Sequence, residues 1–431
     1  MITEGAEEEW LSPLLATWRG HRAWVLDRQI AITRIAAPTG NESARAQALQ
    51  LAWERGGHAV TRDTVGNVIT RITPVPARPR DATANATANA TADATADATA
   101  DAAPIVCLAH LDTVFSADTP LAVRRDGPRL YCPGIGDNGR GLAAMLALAH
   151  ALHEPAVRTR LRRPVELVLT VGEEGAGNLR GARQWCDDAA ASGVLPVAAV
   201  AIDGPGDATI VHHAVGSARL RITMSGPGGH SWSNHATPNP VHAAGAFIAR
   251  IAQMAASVRP HAVVTVTRMH GGELLTGVPM EAWVDVDIRS LHPTRLHAVR
   301  AEIERLAADE ARHESRRDPA QPLQCTITSL GERPAGQLDD QHPLVLAATA
   351  ATHAVGRVAR SASASTDANL PLSRGIPAIA IGAGGTGRAA HTADEWYDDT
   401  DGDVGLERVL RLIITLGTTN AWTRPPATRR R

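Results

Sequence analysis

Four apolar runs constrain this chain more than any other feature of its sequence. Residues 104–109, 165–171, 197–202 and 378–381 are each of strand length and bounded by turn residues, and most are separated by helical stretches such as residues 141–149. Runs this continuously apolar suit strands buried on both faces, so they predict an α/β fold with a mostly parallel sheet covered by helices on both sides. At 431 residues with 44% hydrophobic side chains, the chain is long enough to bury such a core and to form more than one domain.

Residues 212–331 follow a different order: strand 218–224, helix 241–254, strand 262–267, strand 281–288, helix 296–311 and strand 323–329. That β-α-β-β-α-β order predicts a ferredoxin-like α+β unit inserted into the first domain. The expected division is a discontinuous domain of residues 1–211 and 332–431 with an insertion at 212–331. Upstream, residues 7–36 carry apolar positions at helical spacing and fit two helices, closed by Pro38-Thr39-Gly40; a further helix runs to Trp53 and a strand follows over 65–72. Residues 82–101 are five tandem copies of Ala-Thr-Ala-Asn or Ala-Thr-Ala-Asp. With nothing large and apolar to bury, residues 81–103 are expected to form a disordered loop without a catalytic role.

Composition removes several function classes. A formal net charge of −2 leaves no broad basic field for nucleic acid or anionic lipid. All 43 basic residues are arginine, which excludes chemistry that needs a lysine amine, such as an internal pyridoxal phosphate Schiff base, a lysine aldolase, a P-loop ATPase or a protein kinase. Cys107, Cys132, Cys186 and Cys325 lie far apart with no C-x-x-C and read as small core residues. The acidic start of the chain lacks the pattern of a signal peptide, and no apolar run reaches membrane-spanning length, so a soluble cytoplasmic protein is expected.

Ionisable residues gather where the apolar runs end, the edge at which open α/β sheets place their ligands. His110-Leu111-Asp112 ends the first run, Glu173-Glu174 follows Val171-Gly172, Asp203 follows Ile202, Asp137 sits just before a helix in Gly136-Asp137-Asn138-Gly139, and His391 lies in Ala390-His391-Thr392-Ala393-Asp394-Glu395. Two imidazoles with several carboxylates suit zinc, cobalt or manganese better than calcium, and one carboxylate can bridge two ions. In an extended His110-x-Asp112 segment both side chains share a face, so Asp112 can orient the imidazole. Adjacent Glu173 and Glu174 point different ways, leaving one to ligate and the other to serve as general base. Two strings, Gly134-x-Gly136-x-x-Gly139 and Gly382-x-Gly384-x-x-Gly387, match the dinucleotide-binding pattern. The first places the Asp137 carboxylate where a pyrophosphate would sit, and the second opens no helix against a sheet, so neither indicates a nicotinamide or flavin enzyme.

Taken together, His110-Leu111-Asp112-Thr113-Val114, Gly134-Ile135-Gly136-Asp137-Asn138, Gly172-Glu173-Glu174-Gly175, Ile202-Asp203-Gly204-Pro205 and Ala390-His391-Thr392-Ala393-Asp394-Glu395-Trp396 resemble the metal-site blocks of the zinc exopeptidase and amidohydrolase family. That family includes glutamate carboxypeptidase, peptidase T, dipeptidases, acetylornithine deacetylase and the aminoacylases, and the blocks occur in its order over residues 24–420. The resemblance implies two divalent ions, zinc foremost with cobalt or manganese as substitutes. Asp137 would bridge them, His110 and Asp203 would complete one site, and Glu174 and His391 the other. Glu173 would be the general base with Asp112 behind His110, and the Asp137-Asn138 peptide would be cis. The insertion would be the family's lid and homodimer contact. In it, His230 of Gly228-Gly229-His230-Ser231-Trp232 would stabilise the oxyanion and Arg289 would hold a substrate carboxylate, against the simpler reading of Arg289 as a strand-end salt bridge. Thr276 stands where the family often has asparagine, and Asn369 and Gly384 lie in segments resembling substrate-side loops. The function implied is hydrolysis of di- or tripeptides by metal-activated water. A deacylase of N-acyl amino acids with the same mechanism is the nearest alternative, and a catalytically silent metal-binding relative is another.

Overall fold

The computed structural model describes residues 4–75 and 102–419, so the Ala-Thr repeat lies outside the described residues. The chain divides into two units, Met1–His212 with Leu338–Arg431, and His213–Gln337. The first opens with three helices, α1 (Glu4–Gly20), α2 (Arg22–Thr33) and α3 (Ser43–Arg55). Strands β1 (Val60–Arg62), β2 (Val68–Ile72) and β3 (Ile105–His110) follow, then helix α4 (Gly139–His153), β4 (Val165–Thr170), helix α5 (Arg180–Ser192), β5 (Ala198–Ile202) and β6 (Thr209–Ala214). The insertion supplies β7 (Gly216–Ser225), helix α6 (Pro240–Ser257), β8 (Val263–Gly271), β9 (Glu281–Ser290), helix α7 (Pro293–Glu314) and β10 (Gln324–Arg333). The chain then adds helix α8 (Pro343–Ala354), β11 (Ala378–Ile381) and helix α9 (Gly402–Thr418).

The main sheet has the order β1-β2-β4-β3-β5-β11-β6. Its centre is parallel: β3 pairs with β4 and β5, and β11 with β5. Its margins are antiparallel, since β2 pairs with β4, and β6 with β11, in the opposite sense. The central strands explain the apolar runs. Along β3, Ile105, Cys107 and Ala109 enter a core with α4 and α9, while Val106 and Leu108 enter a second core with Trp185 of α5, so neither face meets water. Helix α4 is buried over Gly139–Ala149 because it lies on the sheet and packs against both α2 and α9. Parallel register aligns the carboxyl ends, with His110 opposite Thr170 and Ile381 opposite Ile202.

The inserted unit is a four-stranded antiparallel sheet of order β8-β9-β7-β10. Leu220, Ile222 and Met224 of β7 and Val284, Val286 and Ile288 of β9 form a core with Phe247 and Ile251 of α6 and Ile303 and Leu306 of α7. Among the described residues, no helix is long and apolar enough to cross a membrane.

Candidate metal centre

Three neighbouring strands deliver the first ligand candidates. His110 is the last residue of β3 and is buried. Beyond β4 the chain turns at Gly172, whose φ of +62° is a conformation open to glycine, and then presents Glu173 and Glu174. Asp203 follows directly on β5. The turn after β4 is held by Asp112, whose two carboxylate oxygens each accept one backbone N–H, from Glu173 and from Glu174, both at 2.9 Å. The Thr39 hydroxyl donates to the same carboxylate at 2.8 Å. The sequence suggested that the Asp112 carboxylate orients the imidazole. Instead Nδ1 of His110 lies 3.0 Å from the backbone carbonyl of Asp112 and 3.7 Å from its carboxylate. A ring nitrogen facing a carbonyl must donate to it, so Nε2 of His110 is the nitrogen that faces the cluster and is available as a ligand once it gives up its proton.

Asp137 is set by its neighbours. The Asp137-Asn138 peptide is cis. Asn138 caps α4, its Oδ1 accepting from the N–H of Gly141 at 3.1 Å and of Gly204 at 3.0 Å, while its Nδ2 donates to the carbonyl of Ile202 at 3.0 Å. One amide thus ties the Asp137 turn to the strand end that carries Asp203. On the other side, buried Glu395 accepts backbone N–H groups from Gly134, Gly136 and Asp137 at 2.6, 2.8 and 3.0 Å. The glycine-rich string that imitates a nucleotide loop therefore does present an anion-binding set of N–H groups, and the anion is the chain's own Glu395. Burial pushes the Glu395 carboxyl up to about 7 against the pull of those donors. Replacing Glu395 with Ala strands three enclosed N–H groups, and the metal-free protein should lose about 3 kcal/mol or more, read as the shift of its urea midpoint.

The donors converge as two triads that share one residue. Ligand atoms of His110, Asp137 and Asp203 lie within 4.8 Å of one another, and so do those of Asp137, Glu174 and His391; a third group of that kind joins His110, Glu173 and Glu174. Nε2 of His110 is 3.0 Å from Asp137 and 3.7 Å from Asp203, and Nε2 of His391 is 3.1 Å from Asp137 and 2.9 Å from Glu174. His391 stands in left-handed backbone at φ +66° on a half-exposed loop, whereas the carboxylates facing it are mostly enclosed. Burial disfavours a charged His110, yet the Asp137 and Asp203 carboxylates more than offset it and hold its pKa well above the usual imidazole range. Hydrogen bonds to Asp137 and Glu174 raise His391 to about 10. Burial alone would raise Asp137, but the two imidazoles pull its carboxyl far below the usual range. Oδ1 of Asp137 is buried with no aligned hydrogen-bond donor, although His110 is close. Nitrogen and oxygen donors with such an unserved oxygen between them fit divalent transition-metal ions.

Other expected site residues stand elsewhere. Asn369 is enclosed and bonded within its own loop, its Oδ1 accepting the Thr366 N–H at 2.9 Å. Gly384 has φ +96°, and a Cβ there would lie 2.4 Å from the Gly402 carbonyl oxygen, so its bare backbone serves close packing against the start of α9. His230, Thr276 and Arg289 belong to the inserted unit. Nδ1 of His230 accepts the Trp232 N–H at 3.2 Å, and the Thr276 carbonyl accepts the Ser231 N–H at 3.0 Å. Arg289 donates through Nε to Asp287 two residues earlier at 2.7 Å, and its side chain is 43% exposed. The sequence assigns no individual role to Glu395, Asn138, Thr39 or Asp367, although Glu395 and Asn138 stand within the motif blocks and Asp367 within the segment around Asn369. Asn138 also carries a local signal, an asparagine directly before a helix.

An α/β sheet gathering imidazoles and carboxylates at its carboxyl edge, with a separate ferredoxin-like unit inserted in the chain, is the build of a two-domain metallohydrolase. The chain belongs to peptidase family M20/M25/M40, a family of metal-dependent hydrolases, whose sequence profile matches residues 106–415. It is similar in fold to a tripeptidase from Staphylococcus aureus subsp. aureus mu50 (TM-score 0.72, 20% identity, 92% of this chain and 99% of that one). It is also similar to aminopeptidase PepT from Bacillus cereus ATCC 10987 (TM-score 0.68, 18% identity, 91% and 98%). A third similar structure is the YXEP protein of Bacillus subtilis, described as a dinuclear metal binding peptidase (TM-score 0.64, 18% identity, 92% and 99%). In sequence, 94 residues are 32% identical to N-acetyldiaminopimelate deacetylase of Listeria monocytogenes serotype 4a (strain HCC23), covering 21% of this chain. The match spans about a quarter of the length of that curated relative, 25%.

Proposed function

We propose that this chain is an exopeptidase that hydrolyses di- or tripeptides with two divalent ions, zinc foremost. The observation that carries the reading is the pair of donor triads sharing Asp137. In it, His110 and Asp203 would hold one ion and Glu174 and His391 the other, with Asp137 available to both. Ions bound there would polarise the amide carbonyl and make a water acidic enough to deprotonate near neutral pH.

The chain's own groups supply the proton transfers. Glu173, buried and grouped with His110 and Glu174, takes the proton of the attacking water and passes it to the leaving amine. Asp112 fixes where that carboxylate starts from, because it anchors the Glu173 backbone. His230 is assigned to the developing oxyanion. Since its Nδ1 accepts the Trp232 N–H, the neutral ring carries its proton on Nε2, a donor. Arg289 is assigned to the substrate carboxylate through the edges that Asp287 does not occupy, and Thr276, Asn369 and Gly384 to the loops around the substrate. A homodimer through the inserted unit accords with the exposure there of Trp232, Met269, Leu274, Leu275 and Met280.

A deacylase of N-acyl amino acids is the second reading, favoured by the stretch shared with the deacetylase. Incubating the zinc-loaded protein with dipeptides, tripeptides and N-acyl amino acids, with a chelated control, separates the two by mass spectrometry. Chelator-sensitive cleavage of peptides with a free amino group is the expected result. Cleavage of acylated amino acids alone would transfer the chain to the deacylases, and silence across the panel would favour a catalytically inert relative.

Metal uptake should depend steeply on pH. With His391 at about 10 and His110 also raised, both rings of the metal-free protein are protonated at neutral pH, and an entering cation displaces both protons. Apparent affinity should therefore rise roughly 10- to 100-fold from pH 6 to 7, with proton release measurable by calorimetry in buffers of different ionisation enthalpy. The metal-free fold responds oppositely. Imidazoles raised from 6.5 stabilise it fully below that value, and the contribution is lost as pH climbs toward 10. A metal affinity that is flat over this range would contradict the ligand assignment.

A further inference from the structure

One carboxylate close to the cluster has no role in the mechanism above. Asp367 precedes the short helix Asn369–Ser373 and is only 3% exposed. Its Oδ2 accepts the Thr170 hydroxyl at 2.5 Å, and its Oδ1 is buried with no hydrogen-bond partner. Thr170 ends β4 opposite His110 in the parallel register, so the pair sits directly beside the strand end that carries the first imidazole. Among the charges acting on Asp367 are those of His110, Asp112 and Asp203, one potential cation against two carboxylates. Burial raises its carboxyl to about 6, which still leaves it ionised at pH 8.

A buried carboxylate with one oxygen unserved is costly unless a positive charge stands near. In the metal-free protein His110 brings positive charge to it, but not enough to offset its burial, and the ring must surrender its proton to act as a ligand. Two divalent ions bring far more positive charge to the same place. We propose that Asp367 is a positioning residue of the metal centre, an enclosed carboxylate that holds the end of β4 through Thr170, strengthens cation binding by its charge, and destabilises the fold when no metal is bound. The inference rests on the ligand assignment made above.

The test is thermal unfolding of the full chain at pH 8, with chelator and with zinc, together with zinc competition against a chromophoric chelator. Asp367→Asn keeps the size and an acceptor for Thr170 while removing the charge. Its metal-free midpoint should rise by about 3 °C or more, and its zinc affinity should fall roughly tenfold or more. Thr170→Val removes the hydrogen bond and keeps the charge, so its metal-free midpoint should fall. A structural role alone would lower both metal-free midpoints and leave zinc affinity within about twofold of the wild type, and that result overturns the proposal, as does an Asp367→Asn chain that fails to fold. If the wild-type chain itself takes up no zinc, the ligand assignment falls and this inference with it; zinc uptake by the wild type with unchanged affinity in Asp367→Asn overturns this inference alone.

Discussion

Replacing Glu173 with Gln should leave a folded protein that retains its metal and turns over about 10²- to 10⁴-fold more slowly. The substitution conserves size, and the backbone N–H of Glu173 still donates to Asp112, so the turn after β4 keeps its place. What is lost is a carboxylate able to accept and return a proton. The amide of glutamine does neither near neutral pH. Metal content by plasma mass spectrometry and kcat on the best peptide of the panel check both halves. Turnover within tenfold of the wild type would remove Glu173 from the role of general base, and loss of metal alongside turnover would make it a ligand instead.

Asp137→Ala should have the largest effect on metal content. Asp137 belongs to both donor triads, so its loss takes one oxygen from each ion at once. The drop in affinity should exceed the roughly 10- to 100-fold typical of changes to groups behind a ligand, and the purified protein should carry less than one ion per chain. A further signature separates this from general damage. His110 and His391 owe much of their raised pKa to Asp137. Without it both rings should titrate closer to neutrality, detectable by proton NMR of the metal-free chain. Retention of two ions per chain would show that Asp137 does not bridge.

The parts of this site that were legible in the sequence are those governed by short-range pattern. His110, Glu173, Glu174 and Asp203 follow strand-length apolar runs, and a parallel core sends every such end to one edge. Asp137 and His391 follow no strand directly; they stand out by their local segments, an acid just before a helix and a histidine among acidic residues, and the family resemblance supplies only their ligand roles. What was not legible depends on partners far away in the chain. Glu395 is recognisable as the occupant of the Gly134–Asp137 turn only after folding brings together residues some 260 positions apart. The Asp112 carboxylate has the same standing: an extended His-x-Asp segment points both side chains one way, yet N–H groups from the turn after β4 capture that carboxylate before the imidazole can. Strand direction was also hidden at the sheet margins. An apolar run specifies burial, not orientation, and β2 and β6 lie antiparallel to their inner neighbours. Asn369 attracted notice by its motif, while the ionisable residue two positions earlier is the one left with an unserved buried oxygen.

The insertion leaves and re-enters the chain at adjacent points, where His213 pairs with Gln337 and Ala214 with Gly336. Two ends fixed side by side in a ladder close like a hairpin, whatever length of chain hangs between them. Such a module can be lengthened, exchanged or trimmed in descent without altering the register of the strands that carry the ligands. Selection can therefore act on the insert as a replaceable part, independently of the strand ends that carry the ligand candidates.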